Sequence, residues 1–313
     1  MIVAVLSGVF FVASLAGLAQ TTTPEQPLMP PGPSYPLDSF QQPNGLTNDQ
    51  TKTTSAYATT TSGCKKTQLL IPLYSYPNWY DPSNYIWDDI ATATDQISVT
   101  VIINPNNGPG SCPPNSDYQH GINDLHRGQV TILGYVYTSY GSRATKIITN
   151  EIDLYDQCFD IDGIFLDEVA STADKCDYYE QLCDDVKSSP NLDKVFINPG
   201  LTPDECYFSH SSCDTGVIFE GYSSHWLTYT VSPYVAVYPS ERFAAIVHTV
   251  PDTDTMKSNI DLTIARHISY VYLTDDTLPN PYDSLPLFQQ AQIDYIKSVN
   301  ICKTWLPIIL HTH

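Results

Sequence analysis

The chain has 313 residues, with 34 acidic residues against 14 lysines and arginines and a formal net charge of −20. This length allows one large domain or two small ones and is sufficient to bury a sizeable core. Because a surplus of carboxylates repels phosphate groups, the charge argues against nucleic acid and anionic membrane surfaces as partners.

The N-terminus, MIVAVLSGVFFVASLAGLAQ, is an apolar run of signal-peptide length that ends on small residues, although it lacks the usual basic start. Cleavage after Ala19 would make residues 1–19 a signal peptide. A membrane anchor is the alternative, but a Thr/Pro/Gln-rich segment follows where a charged stop signal is normally found. The sequence therefore predicts a protein secreted to the extracellular space or cell wall.

Residues 20–66 are rich in proline and threonine and include the run TKTTSAYATTTSG. This composition does not bury enough apolar surface to offset the entropy of ordering, so we expect a disordered linker open to O-glycosylation. The folded domain would then span residues 67–305.

Eight cysteines in an exported chain favour disulfides over a metal site, because an oxidising compartment lets disulfides persist. Cys176 and Cys183 are seven residues apart, as are Cys206 and Cys213, and no CxxC or nearby histidine pair has zinc-site spacing. We predict disulfides and no metal; the spacing leaves the full connectivity open.

From residue 68 onward, short apolar runs alternate with helical patterns, which indicates βα units around a parallel sheet buried on both faces. There are eight such runs: QLLIPLYSYP from 68, ISVTVIINP from 97, VTILGYVYTS from 130, IDGIFLDEV from 161, KVFINPG from 194, TGVIFEGYS from 215, FAAIVHTV from 243 and ISYVYLTDD from 268. The clearest helical patterns lie at 144–158, 176–189, 255–267 and 285–300.

Eight strand-plus-helix units in roughly 240 residues match the size of a (β/α)8 TIM-type barrel. A doubly wound open sheet is the less favoured alternative, because the GxGxxG turn of dinucleotide binding and the Walker A loop are missing. Closing a barrel brings its first strand next to its last helix, so we predict a disulfide between Cys64 and Cys302, which flank these two elements. It would contribute about 3 to 5 kcal/mol in the chain-entropy model.

The active site of this fold lies at the C-terminal ends of the strands. In this sequence those ends carry carboxylates, tyrosines and amides, a set that suits a carbohydrate, since rings stack on sugar faces and polar groups bind hydroxyls. No cofactor is expected. The residues expected to bind the sugar are Tyr74, Asn104, Tyr137, Asn198, Tyr222, His248 and Asp275.

Hydrolysis of a glycoside requires two carboxyl groups. Glu168 and Glu220 follow the fourth and sixth strands, whose inward side chains share a layer. We expect Glu168 to be the general acid and Glu220 the nucleophile or stabiliser. Asp167 would raise the pKa of Glu168 by like-charge repulsion or orient the substrate, and the roles of Asp167 and Glu168 are exchangeable at this point.

Structural alternatives stay open for these residues. Two adjacent acids after a strand are also common in solvated turns and helix N-caps, and a lone acid such as Glu220 is commonplace after a strand. His248 fits a buried structural histidine, and with 22 tyrosines in the chain the aromatic residues fit packing.

Between about 68 and 300 the chain resembles the spherulin-4 family, glycoside hydrolase family 135. The resembling segments, in the family's order and spacing, are LLIPLYSYP, VIINPNNGPG, VTILGYVYTSYG, DGIFLDE, FINPG, VIFEGY and YLTDD. The resemblance implies a (β/α)8 barrel, secretion, a role in a spore or cyst wall, and endo-hydrolysis of α-1,4-linked N-acetylgalactosamine or galactosamine. The family's acidic residues correspond to Asp167, Glu168 and Glu220.

Two other functions stay open. The stretch DIDGIFLDE loosely matches the DxxDxDxE strand of chitinases, but its last two acids are adjacent and so do not project to one side of a strand. A non-catalytic wall protein agrees with the Thr/Pro-rich segment, whereas the presence of all three acids argues against it. The expected partner is a polysaccharide, and the expected state is a monomer.

Overall fold

The apolar runs of the sequence, rich in β-branched residues, form the strands of a closed barrel. The computed structural model describes residues 66–209 and 212–300. Its strands are β1 (Gln68–Leu73), β2 (Val99–Ile103), β3 (Thr131–Tyr137), β4 (Gly163–Asp167), β5 (Lys194–Ile197), β6 (Thr215–Tyr222), β7 (Phe243–His248) and β8 (Tyr270–Leu273). Each pairs in parallel with the next, and β8 pairs with β1.

Helices connect these strands, which completes the predicted (β/α)8 architecture. They are α1 (Ile86–Ala93), α2 (Ser116–Arg127), α3 (Thr145–Cys158), α4 (Cys176–Lys187), α5 (Cys206–Ser209), α6 (Ser223–Thr228), α7 (Thr253–Ala265) and α8 (Gln289–Val299). The fold prediction is confirmed. The proposed signal peptide, nearly all of the linker and the predicted bridge between Cys64 and Cys302 lie outside the described residues.

The strands are mostly apolar because both faces of the sheet are covered. Every residue of β2 and β7 is buried, since one face fills the barrel and the other packs against helices. Two glycines within the strands permit close approaches. A Cβ atom at Gly163 would lie 2.0 Å from the carbonyl oxygen of Lys194 in β5, and one at Gly134 would overlap the ring of Tyr155 in α3.

Among the described residues, three disulfides join outer elements of the barrel. Cys112 pairs with Cys158, which ties the loop before α2 to the end of α3. The two seven-residue spacings belong together, because α4 is joined to α5 and to the segment before β6 by the pairs Cys176–Cys206 and Cys183–Cys213. Seven residues are two helical turns, so both cysteines of α4 lie on one buried face. In the described ranges no helix has the length and apolar character needed to cross a bilayer.

Candidate active site

Three consecutive strands bring an acid, an amide and a second acid together at the C-terminal rim. Asp167 ends β4, Asn198 directly follows β5, and Glu220 lies near the end of β6. The Nδ2 group of Asn198 donates to Asp167 Oδ1 at 2.8 Å and to Glu220 Oε2 at 2.7 Å. One amide group therefore holds two carboxyl groups side by side.

The second oxygen of Glu220 accepts a hydrogen bond from the phenol of Tyr282 at 2.6 Å. Each oxygen of Glu220 thus accepts one bond, an arrangement suited to an ionised carboxylate, which accepts but does not donate. Tyr282 comes from the loop of residues 274–288 between β8 and α8 and was not predicted, because sequence signals at strand ends do not reach into a long loop.

The environment of Asp167 favours its protonated form. Burial, and next the charge of Glu220, raise the pKa of Asp167 to about 7, although hydrogen bonds from the backbone of Glu168, from Tyr135 and from Asn198 offset part of the rise. At neutral pH the carboxyl group therefore keeps its proton more readily than an ordinary aspartate does. This is the behaviour required of a general acid.

Aromatic rings enclose the two acids. Tyr74 packs edge-to-face against Tyr135 at 5.8 Å and against Tyr282 at 6.0 Å between ring centroids. Burial, followed by the charges of Asp167 and Glu220, raises the pKa of Tyr74 well above its usual value, so its phenol stays protonated. Tyr74 was a predicted site residue; Tyr135, two residues before the predicted Tyr137 on β3, was missed.

The backbone turns sharply after Asp167. Glu168 has a left-handed conformation, with φ of 51°, which is uncommon for a residue with a side chain. Its carbonyl oxygen accepts bonds from the backbone of Tyr140 at 2.6 Å and from Thr138 Oγ1 at 2.8 Å. Thr138 Oγ1 also lies within bonding distance of the carbonyl oxygen of Asp167 and of the phenol of Tyr179, at 2.9 and 2.8 Å. This turn leaves Asp167, rather than Glu168, in the pair bridged by Asn198.

Tyr140 is a third aromatic residue that strand-end reasoning missed, since it lies in the loop after β3. Its side chain is 49% exposed, yet burial and then the charges of Glu168, Asp167 and Glu220 raise the pKa of its phenol. The ring therefore lies near all three acids while keeping surface open to solvent.

Two of the predicted sugar-binding residues use their side chains to shape loops. Asn104, only 7% exposed, accepts a bond from the backbone of Gly108 at 3.0 Å in the β2–α2 loop. Asp275 accepts one from the backbone of Leu287 at 3.0 Å and so closes the loop that carries Tyr282. In the structure, both side chains therefore bond to the backbone of loops at the rim.

Tyr137 lies at the end of β3 with its ring against a cation. The guanidinium carbon of Arg143 is 3.8 Å from the ring centroid, and Arg143 also pairs with Glu151 of α3. One face of Tyr137 is therefore occupied from within the protein.

Tyr222 and His248 lie together at the ends of β6 and β7, with ring centroids 4.5 Å apart. Burial, and then the neighbouring His225, lower the pKa of His248 to about 4, so its ring is neutral at physiological pH. Tyr222 is 39% exposed and is the solvent-facing member of the two.

A closed (β/α)8 barrel with paired carboxyl groups at the ends of β4 and β6 defines a TIM-type barrel protein with an acidic site at its C-terminal rim. Residues 68–296 match the Spherulin4 profile, spherulation-specific family 4. The chain is 32% identical over 266 residues to Spherulin-4 from Physarum polycephalum. This alignment covers 80% of this chain and 77% of that protein. The chain therefore belongs to the spherulin-4 family, and the resemblance read from its motifs is confirmed.

The barrel is also similar to a solved structure, that of Sph3 from Aspergillus clavatus in complex with GalNAc. The TM-score is 0.64 at 24% sequence identity, and the match covers 74% of this chain and 98% of Sph3. At this identity the likeness establishes the fold.

Proposed function

We propose that the protein is a secreted endo-glycoside hydrolase that cleaves a polysaccharide containing N-acetylgalactosamine or galactosamine. The observation that carries this proposal is the pair of carboxyl groups on Asp167 and Glu220, joined by Asn198 and differing in environment. Two acids that differ in this way can divide the roles of proton donor and nucleophile. Membership of the spherulin-4 family and the GalNAc bound by Sph3 support the choice of sugar.

In the proposed reaction Asp167 donates its proton to the glycosidic oxygen while the bond from that oxygen to C1 breaks. A carboxylate oxygen of Glu220 bonds to C1 and forms a glycosyl-enzyme. Asp167, now ionised, accepts a proton from a water molecule, whose oxygen attacks C1 and releases Glu220. The sequence favoured Glu168 as the general acid but left the roles of Asp167 and Glu168 exchangeable. Here Asp167 is the general acid, and Glu168 orients the substrate.

The spacing of the two acids supports retention of configuration. Both oxygens accept a bond from the same nitrogen of Asn198, so they are no further apart than the sum of 2.8 and 2.7 Å. Retaining glycosidases hold their carboxyl groups about 5 to 5.5 Å apart, and inverting ones about 6.5 to 9.5 Å.

The chemistry of an α-linked aminosugar also argues for a protein nucleophile. In an α-linked galactosaminide the 2-acetamido group is cis to the leaving oxygen, so it has no path to attack C1 from the opposite face. The substrate-assisted route of chitinases is therefore closed to this linkage, which leaves attack by a carboxylate such as Glu220 or by a water molecule. The spacing of the two acids favours the carboxylate.

The test is digestion of galactosaminogalactan, chitin and chitosan by the purified protein, with the products sized and their anomeric configuration followed by NMR. We expect internal cleavage of the galactosamine polymer with retention. Binding without products would instead support the non-catalytic wall protein, and products from chitin alone would support the chitinase-like alternative.

Variants separate the roles of the acids. Asp167→Asn and Glu220→Gln should each lower kcat on the polymer by about 10²–10⁴-fold, the usual contribution of such groups. For Asp167→Asn the decrease in kcat should be smaller on a nitrophenyl glycoside, because its leaving group needs no proton. For Glu220→Gln the decrease in kcat should be as large on this substrate as on the polymer. If Glu168→Gln shows the leaving-group dependence instead, Glu168 is the acid.

The disulfides also bear on where the protein acts in relation to the cell. Buried disulfide pairs persist in an oxidising compartment, and we propose that the protein acts outside the cell, at a wall. Detection of the protein in the medium or the wall fraction, and its loss from both when residues 1–19 are deleted, would test this placement.

A further inference from the structure

An exposed pair of aromatic side chains lies in the β1–α1 loop, away from the paired acids. Trp79 is 43% exposed and Tyr80 is 58% exposed. Their ring centroids are 6.2 Å apart with an interplanar angle of 74°, so the two rings form a corner. We call Trp79 and Tyr80 the aromatic corner.

The indole of Trp79 is held in place from one side. The imidazole of His120 stacks on it at 4.5 Å between ring centroids, with the planes within 19° of parallel. The indole nitrogen donates to Asp117 Oδ1 at 3.1 Å. A tryptophan fixed by a stacked ring and a hydrogen bond loses little further entropy when a ligand binds to its open surface.

The supports of Trp79 are themselves anchored. His120 Nε2 lies 3.4 Å from a carboxylate oxygen of Asp124, a side chain that is nearly inaccessible to solvent. The other oxygen of Asp117 accepts the phenol of Tyr76 at 2.7 Å, and Asn115 donates to that same phenol oxygen at 3.2 Å. An exposed loop would not need this framework merely to leave an indole in water.

The same segment connects the aromatic corner to the paired acids. Tyr74, which packs among the rings around the acids, and Tyr76, which bonds the support of Trp79, belong to one stretch that follows β1. Five residues of extended chain reach at most roughly 18 Å, so Trp79 lies within a few sugar units of Tyr74.

We propose that the aromatic corner is an outer sugar-binding subsite, which takes a pyranose unit of the polymer several units from the bond that is cleaved. One sugar face would lie on Trp79 and an edge against Tyr80, with the carboxylate of Asp117 near its hydroxyls. Carbohydrate fits better than a protein partner, because two rings set among polar groups offer stacking and hydrogen bonds but no broad apolar patch. This inference rests on the proposed function for the identity of the polymer.

The first test measures binding of galactosaminogalactan to Glu220→Gln protein, in which cleavage is suppressed. Adding Trp79→Ala should raise the dissociation constant roughly three- to tenfold, the range expected for one aromatic contact, and Trp79→Phe should retain most of the affinity. Tyr80→Ala is a second variant in case Trp79→Ala does not fold. Val237→Ala is the matched control, because Val237 is 77% exposed and lies in the connection between β6 and β7, whereas Trp79 lies in the connection between β1 and α1.

A second readout follows the indole directly. Trp87 and Trp226 are fully buried, so in a Trp305→Phe background Trp79 is the accessible tryptophan among the described residues. Adding polymer should shift or quench the emission, and replacing Trp79 by phenylalanine should abolish the change. With active enzyme, Trp79→Ala should raise KM for long polymer with kcat nearly unchanged, and should leave short oligosaccharides unaffected.

The outcomes separate the two proposals. If polymer binding depends on Trp79 but the protein with all three acids intact releases no products, the subsite proposal holds and the hydrolase proposal is overturned. Cleavage with the same KM in Trp79→Ala as in the parent would keep the hydrolase and overturn the subsite. If the Glu220→Gln protein binds none of the aminosugar polymers, the subsite is overturned as well.

Discussion

Asp167 is the acid of the site whose pKa is raised by its surroundings. It is a carboxyl group placed where burial and the charge of Glu220 both disfavour ionisation. Such a placement costs stability when the group is charged, and enzymes accept this cost where protonation is used in chemistry. The consequence is measurable as a change in folding stability with pH.

The unfolded chain releases the Asp167 proton near pH 3.8, whereas the folded protein holds it until about pH 7. Between these values the folded state binds more protons than the unfolded state, so this group makes stability fall as pH rises, with a plateau above pH 7. We expect Asp167→Asn to match the wild type near pH 4 and to be more stable at pH 8, by at most about 4 kcal/mol. Denaturant unfolding at both pH values checks this, and a difference that is independent of pH would contradict it.

At the scale of elements, the connection after β4 determines where the acids point. Tyr179 of α4 places its phenol against Thr138 Oγ1 at 2.8 Å and accepts a bond from the backbone of Ala170 at 3.0 Å. Thr138 in turn bonds the carbonyl groups of Asp167 and Glu168. A helix on the outside of the barrel thereby holds the backbone turn that carries the acids inside.

We therefore expect Tyr179→Phe to lower kcat by about tenfold or more, because small displacements of catalytic groups are costly. Stability should fall by roughly 1 to 3 kcal/mol, since the backbone N–H of Ala170 loses its partner. Tyr178→Phe is the matched control: its phenol bonds the carbonyl oxygen of Arg143 at 2.6 Å and does not touch the β4 turn. Chemical denaturation and steady-state kinetics on both variants make the comparison, and equal kcat values for the two would refute the positioning role.

At the scale of the whole molecule, charge is the dominant feature. Acidic residues outnumber lysines and arginines by 34 to 14. Basic groups such as Arg143 and Lys187 pair with Glu151 and Asp214, yet 14 cations are too few to pair one-to-one with 34 acids. The net repulsion favours expanded states over the compact one.

Raising NaCl from about 0.01 M to about 0.15 M shortens the screening length from about 30 Å to about 8 Å. Screening should weaken the repulsion more than it weakens the few surface ion pairs, which are individually worth little. The expected result is a higher Tm at pH 7.5 with added salt, measured by calorimetry. A Tm that falls with salt would mean that ion pairs outweigh the net charge.

The barrel was predictable because its signal is repeated and local. Eight apolar runs, each long enough for a buried strand, alternate with helical patterns, and the structure has strands at all eight. The seven-residue spacing of Cys176 and Cys183 likewise follows from helix geometry, although their partners Cys206 and Cys213 emerge only when α4 packs beside α5. The candidate acids were also visible, because each stands where an apolar run ends.

What only the tertiary structure decided is which groups meet. Sequence alone favoured Glu168 as the proton donor and left an exchange of roles with Asp167 open. The proposed assignment to Asp167 depends on a left-handed turn and on Asn198 reaching two strands at once. Tyr282, 62 residues after Glu220, was beyond sequence reasoning for the same reason. Strand and helix periodicity is a property of neighbouring residues, whereas a hydrogen bond between distant loops depends on how the closed barrel sets its strands side by side.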